Sequence, residues 1–187
     1  MSPMAKGANV ALTKEIPGLT GVIVGVSFDA GAERALGDNL AMLTVLCGAD
    51  KRALSDDHVV HFNQMVSADL STAALEQTRG DDAEQVEVDL AAVPPEIERI
   101  VFILYVGEGS GGRRTLGQLR RCTLRLLNLA DGAAITSTVD LSQGLNNETA
   151  VSLGELYRHQ GDWKFRVLGA GYSSGLAGVA RDFGITL

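Results

Sequence analysis

Short apolar segments, most of them rich in β-branched residues, follow one another along this 187-residue chain and are separated by turns. The segments with strand character span residues 22–28, 40–47, 59–62, 86–90, 100–106, 119–129, 135–141, 151–157 and 163–168. Strands do not alternate regularly with helices, so a doubly wound α/β fold is not expected. Many short strands between turns are typical of a β-sandwich. The sequence therefore predicts an all-β, two-sheet β-sandwich in a single domain over residues 1–187.

The last two strand segments predict a hairpin that turns at Gln160-Gly161. In its second arm, Trp163, Phe165 and Val167 share one face, because successive side chains of a strand point to opposite sides. Cationic residues occupy the positions between them. We therefore expect Trp163 and Phe165 to pack in the core.

A short C-terminal helix follows this hairpin. Its apolar stripe has the i, i+3, i+4, i+7 spacing of an amphipathic helix and consists of Leu176, Val179, Ala180 and Phe183. Ser173 or Ser174 is suited to cap its start, and Gly184 is suited to end it. We expect the helix to cover an open face of the sandwich.

The charge of the chain limits its partners and its setting. Lys and Arg number 16 against 23 Asp and Glu, which gives a net charge of −7 and argues against nucleic acid as a partner.

Residues 1–8 lack the apolar region of a secretory signal, and no apolar run approaches the roughly 20 residues of a membrane-spanning helix. Cys47 and Cys122 stand among apolar neighbours, as buried free thiols do. We expect a cytoplasmic protein without a membrane span.

Two motifs resemble functional sites without meeting their requirements. The loop from Gly107 to Thr115 approaches the P-loop pattern, but arginines replace the Lys and the Ser or Thr that hold phosphate and Mg²⁺. His58 and His61 have the spacing of a zinc pair on a helix, yet the valines between them favour a strand, which points the two rings apart. Neither a nucleotide site nor a zinc site is expected, and no nucleophile stands in a G-x-S-x-G elbow.

An ordered series of motifs along the chain resembles the TerD-type tellurium-resistance family. The strings that carry this likeness are residues 6–14, 27–30, 86–94, 147–159 and 169–178. The first is similar to the family's K-G-G-N-V-S-L-T-K, and Val86 to Pro94 is similar to K-V-D-L-A-A-V-P. The resemblance implies a two-sheet β-sandwich that binds calcium through acidic loops at one end. It also implies a role in resistance to tellurite and other stresses, with no settled enzymatic activity.

The chain departs from the family in the loops that bind calcium. Leu36 to Met42 replaces the family's D-F-D-L-D-A-S and keeps only Asp38 as an acid, and Arg79 stands in a rewritten loop at 75–80. The oxygen ligands that remain are Asp29, Asp38, Asn63, Asp81 and Asp82. Because the number of charged ligands tunes calcium affinity, we expect a single weak site anchored by Asp81 and Asp82, or the loss of calcium binding.

The sequence thus predicts a non-enzymatic, cytoplasmic stress-response protein that acts by binding protein partners, among them an assembly at a membrane. The alternative is a β-sandwich that binds a carbohydrate or another small ligand at the same loop end, since one fold serves many functions. A third reading is a nucleotide-dependent enzyme that uses the loop from Gly107 to Thr115.

Overall fold

A computed structural model describes residues 2–107 and 114–187. The first half of the chain contributes the strands β1 (Asn9–Ala11), β2 (Gly21–Asp29), β3 (Leu40–Cys47), β4 (Val59–Val60), β5 (Thr72–Ala74) and β6 (Glu84–Asp89). The second half contributes β7 (Arg99–Val106), β8 (Arg121–Asn128), β9 (Ala134–Ser137), β10 (Ala150–His159) and β11 (Asp162–Tyr172). The helices are α1 (Arg34–Gly37) and α2 (Gly175–Phe183), and short 3₁₀ turns occupy Asp56–His58 and Leu116–Gln118.

The strands form two antiparallel sheets. One sheet has six strands in the order β1-β11-β10-β7-β3-β4, and the other has five in the order β5-β6-β2-β8-β9. At the centre of the first sheet, Ile103 of β7 lies opposite Leu43 of β3 and Ser152 of β10. This arrangement confirms the predicted fold class.

The main core lies between the two sheets. It contains alternate residues of each central strand, among them Val24, Phe102, Leu126 and Phe165, all nearly or fully buried. Trp163 belongs to the same cluster and is 4% exposed. The prediction that Trp163 and Phe165 pack in the core is confirmed.

A second apolar cluster lies on the outer face of the six-stranded sheet, under α2. Val179 and Phe183 of the helix pack there with residues of β3 and β7, including Val45 and Val101. The helix therefore covers this face as the sequence predicts. It ends at Gly184, whose φ of 67° is left-handed, whereas Ser174 stands at the N-cap without accepting a capping hydrogen bond through its side chain.

Several local expectations are changed by the structure. The strand expected at 59–62 is only Val59–Val60, and His58 ends a 3₁₀ turn instead of lying in a strand.

Cys47 and Cys122 are free and buried, as expected. Within residues 2–107 and 114–187, no helix is long and apolar enough to cross a membrane. Residues 108–113, on which the argument against a nucleotide site depends, lie outside the described residues.

Candidate functional site

Asp82 is the most highly coordinated of the five predicted calcium ligands. Its carboxylate lies over the outer face of the five-stranded sheet, and the residue is 7% exposed. The Arg125 Nε donates to both carboxylate oxygens at 2.9 and 2.8 Å. Ser27 Oγ donates to Oδ1 at 2.9 Å, and Gln85 Nε2 donates to Oδ2 at 2.6 Å. Both oxygens are therefore occupied by donors from the protein.

The backbone just before Asp82 is held by the same group of side chains. Arg79 N donates to Gln85 Oε1 at 2.8 Å, and Gln85 Nε2 donates back to Arg79 O at 2.8 Å. Arg125 Nη2 donates to Arg79 O at 3.1 Å. Gly25 of β2 allows the approach, because a Cβ at that position would overlap the Asp82 carboxylate. A guanidinium thus lies beside Asp82, a residue that the sequence predicts to bind calcium, and it is bound to that carboxylate and to a backbone carbonyl.

The other four predicted ligands are divided between the two sheets. Asp29 ends β2, and its Oδ1 accepts a hydrogen bond from Gly31 N at 2.7 Å, while Asp81 is exposed beside Asp82. Asp38 follows α1 and Asn63 follows β4, and both line the outer face of the six-stranded sheet. Among the described residues, no three His, Cys, Asp or Glu side chains are grouped to hold a metal ion. The five residues as arranged do not form one calcium cage, and calcium binding stays a prediction.

A groove runs along the outer face of the six-stranded sheet beside α2, and we call it the α2 groove. It consists of two adjoining depressions of about 320 and about 490 Å³ that share Phe62, Tyr105, Leu176 and Leu187. The rest of the lining comes from Asp38, Asn39, Leu40, Ala41, Leu43, His61, Asn63, Gly107 and Thr186. Phe62 and Leu187 are 68% and 53% exposed, so large apolar surfaces face solvent here.

Burial and one nearby carboxylate set the charge state of the α2 groove. Burial lowers the pKa of His61, which keeps its imidazole neutral near pH 7. Burial, and then the charge of Glu84, raise the pKa of the Tyr105 phenol. Glu84 Oε2 accepts a hydrogen bond from Met42 N at 2.9 Å at the edge of β3. Asp38 is the only side-chain carboxylate in the described lining.

A serine, a histidine and an aspartate also meet near the start of β4, a cluster that sequence patterns did not reveal. Ser55 Oγ lies 2.7 Å from His58 Nδ1, and His58 Nε2 lies 3.8 Å from Asp69 Oδ2. Ser55 Oγ also accepts the Asp57 N–H, which makes it the cap of the 3₁₀ turn. The cluster therefore has a structural role at the start of the 3₁₀ turn. The contact with Ser55 also satisfies Nδ1 of His58, one of the two histidines that have the spacing of a zinc pair.

The two thiols lie in apolar surroundings. Both Cys47 and Cys122 are 0% exposed, and burial raises the pKa of each to about 12. Because the thiolate is the nucleophile and the metal ligand, neither cysteine is poised for either task at neutral pH.

The fold and its loops define an antiparallel β-sandwich with one covering helix and carboxylates at its strand ends. A model of the TerD domain matches residues 1–183. "Tellurium resistance protein TerD" of Serratia marcescens is 34% identical over 187 residues, covering 97% of this chain and 96% of that protein. "General stress protein 16U" of Bacillus subtilis (strain 168) is 35% identical over 191 residues, with the same coverage of 97% and 96%.

A solved structure of similar fold comes from Streptomyces coelicolor A3(2) and is described as a homologue of the telluride resistance protein TerD. It superposes with a TM-score of 0.66 at 20% identity, covering 87% of this chain and 96% of the other. The chain belongs to the TerD family, whose named members are tellurium-resistance and stress-response proteins.

Proposed function

We propose that this protein protects its host against tellurite and related chemical stress as a cytoplasmic binding protein without catalytic activity of its own. The observation that carries this proposal is the match to the TerD domain over residues 1–183. It is supported by relatives of similar length that are named for tellurium resistance and general stress.

The thiols support a role other than reduction of tellurite. Transfer of electrons from cysteine to an oxyanion requires an accessible thiolate, and thiolates form where a thiol is exposed or near cations. Cys47 and Cys122 are buried with pKa values of about 12. This burial supports the proposal that the protein acts by binding other molecules, and we propose protein partners, among them an assembly at a membrane.

Calcium binding in this proposal is weak. The Arg125 guanidinium already neutralises Asp82, and a cation would have to displace it. The exposed carboxylates of Asp81 and Asp29 remain for a divalent ion. With so few charged ligands, we propose a dissociation constant of about 10⁻³ M, at the weak end of protein calcium sites.

The test is the growth of a strain from which the gene is deleted, in the organism that carries it, on graded potassium tellurite. The deletion is expected to lower the tolerated concentration, and the wild-type gene is expected to restore it. A Cys47→Ala, Cys122→Ala gene should restore it equally, because no thiol takes part. Unchanged tolerance on deletion would refute the stress role, and failure of a stably folded thiol-free variant would refute the thiol-independent mechanism.

A further inference from the structure

The α2 groove has the form of a small-molecule site. Each of its two depressions, about 320 and about 490 Å³, falls within the range of about 300–1,000 Å³ that holds small ligands. Its floor is rigid, because Leu43 and Tyr105 belong to central strands of the six-stranded sheet and are 1% and 6% exposed. Its rim is apolar and open, because Phe62 and Leu187 expose more than half of their surfaces.

The polar groups of the groove are few and favour a positive charge. Asp38 lines the larger depression, and no Lys or Arg belongs to the described lining of either depression. Asn39 in the larger depression and Asn63 in the smaller one add amide oxygens as acceptors. The aromatic faces of Phe62 and Tyr105 also attract cations, through the negative face of the ring.

We propose that the α2 groove binds a small organic cation with an apolar body, such as an aryl- or alkylammonium compound. The apolar body packs between Leu43, Leu176 and Leu187, and the ammonium group lies beside Asp38. Anionic ligands are disfavoured by Asp38 and by the overall charge of −7. This site is separate from Asp82 and Arg125, and it does not depend on the role in tellurite resistance.

A carbohydrate fits this lining less well than an apolar cation does. Sugars need several fixed hydrogen-bond partners around their hydroxyls, and an unpaired hydroxyl loses binding energy in a desolvated site. The groove presents more apolar than polar surface, and besides the Tyr105 hydroxyl its polar side chains are Asp38, Asn39, His61, Asn63 and Thr186. The apolar surface therefore supplies most of the binding energy, and Asp38 supplies the preference for a cationic ligand over a neutral or anionic one.

The test is a ¹H–¹⁵N NMR titration of the full chain with 4-phenylbutylammonium, with 4-phenylbutanol and 4-phenylbutyrate as neutral and anionic analogues. The expected result is saturable shifts at Tyr105 and Leu176, with the ammonium compound bound more tightly than the alcohol. The carboxylate should bind least. Absence of saturable shifts with the ammonium compound, or equal affinity for all three compounds, would overturn the proposal.

Matched variants assign the binding to the groove. Asp38→Asn should weaken binding of the ammonium compound about threefold and leave the alcohol unaffected, as expected for an exposed ion pair. Asp81→Asn, an exposed acid outside the groove, should change neither. Phe62→Ala should weaken binding at least about threefold through its aromatic contact, whereas Leu70→Ala, at a residue 78% exposed elsewhere, should not.

If Leu70→Ala or Asp81→Asn weakens binding as much as the groove variants, the proposal is wrong. A sugar that competes at lower concentration than the ammonium compound would also overturn it.

Discussion

Arg125 balances the negative charge of the buried Asp82 carboxylate. The Asp82 side chain is 2% exposed, whereas that of Arg125 is 35% exposed, so the arginine is partly exposed to solvent while its partner is buried. A buried charge without a partner is costly, and the favourable pairing depends on all the donors around it. Asp82 therefore gives the loop before β6 a fixed position without any metal ion.

We predict that Arg125→Ala lowers the free energy of unfolding by about 3 kcal/mol, at the low end for a broken buried ion pair because Arg125 is partly exposed. Chemical denaturation of wild type and variant measures the difference. Arg121→Ala, at an exposed position of the same strand, serves as control and should change stability by less than about 0.5 kcal/mol. Equal stability of Arg125→Ala and wild type would show that the pair contributes nothing.

We further predict that calcium stabilises Arg125→Ala more than wild type, because a divalent ion takes the place of the guanidinium beside Asp82 and Asp81. At ten times the dissociation constant, binding to the folded state adds roughly 1.4 kcal/mol. Thermal melts in millimolar CaCl₂ and in EGTA measure the shift, with MgCl₂ as the control for ionic strength. Introducing Asp81→Asn should reduce the shift. A wild type that responds more strongly than Arg125→Ala would contradict this account.

The sequence identified Asp82 as a site residue but gave no indication of its partner. Arg125 follows it by 43 positions and looks like one of several solvent-facing cations on an alternating strand. Its role depends on β2 lying between β6 and β8, which brings Gly25 and Ser27 under both side chains. Pairing of this kind is set by strand order, which local periodicity does not encode.

Among the secondary-structure elements, α2 is one whose sequence pattern predicted both its helical structure and its packing. The apolar spacing predicted the helix and its covering role, since Val179 and Phe183 are buried against β3 and β7. The short edge strands β1 and β5 gave no comparable signal, and β4 was predicted with the wrong length. β1 and β5 have three residues each, which is too few for a period of two to be recognised. The two residues of β4 were predicted only as part of a longer strand at 59–62.

We predict that Phe183→Ala lowers the free energy of unfolding by about 3–5 kcal/mol, because Phe183 is only 9% exposed and removal of its ring leaves a cavity under the helix. Thermal and urea denaturation measure the loss. Arg181→Ala, at an exposed position of the same helix, should leave stability within about 0.5 kcal/mol of wild type. An unchanged melting temperature for Phe183→Ala would mean that α2 packs without this ring.

At the scale of the whole molecule, the six-stranded sheet joins two apolar clusters. Its inner face packs in the core between the sheets, and its outer face packs under α2. The series of short strands between turns predicted two sheets, but the α2 groove could not be predicted. It depends on the loop after β4 and the chain after α2 meeting over β7, and these are far apart in sequence.

Because the two clusters share one sheet, we predict that residues 1–187 unfold as a single cooperative domain. Trp163 is the only tryptophan and lies in the core between the sheets, with the Arg158 guanidinium 4.4 Å from its ring centre, so its fluorescence reports the loss of that core. Far-ultraviolet circular dichroism reports the strands and helix of the whole chain. Coincident urea midpoints from the two signals are expected of a two-state domain. A dichroism transition that precedes loss of the Trp163 signal would instead show that α2 and the outer cluster unfold as a separate unit.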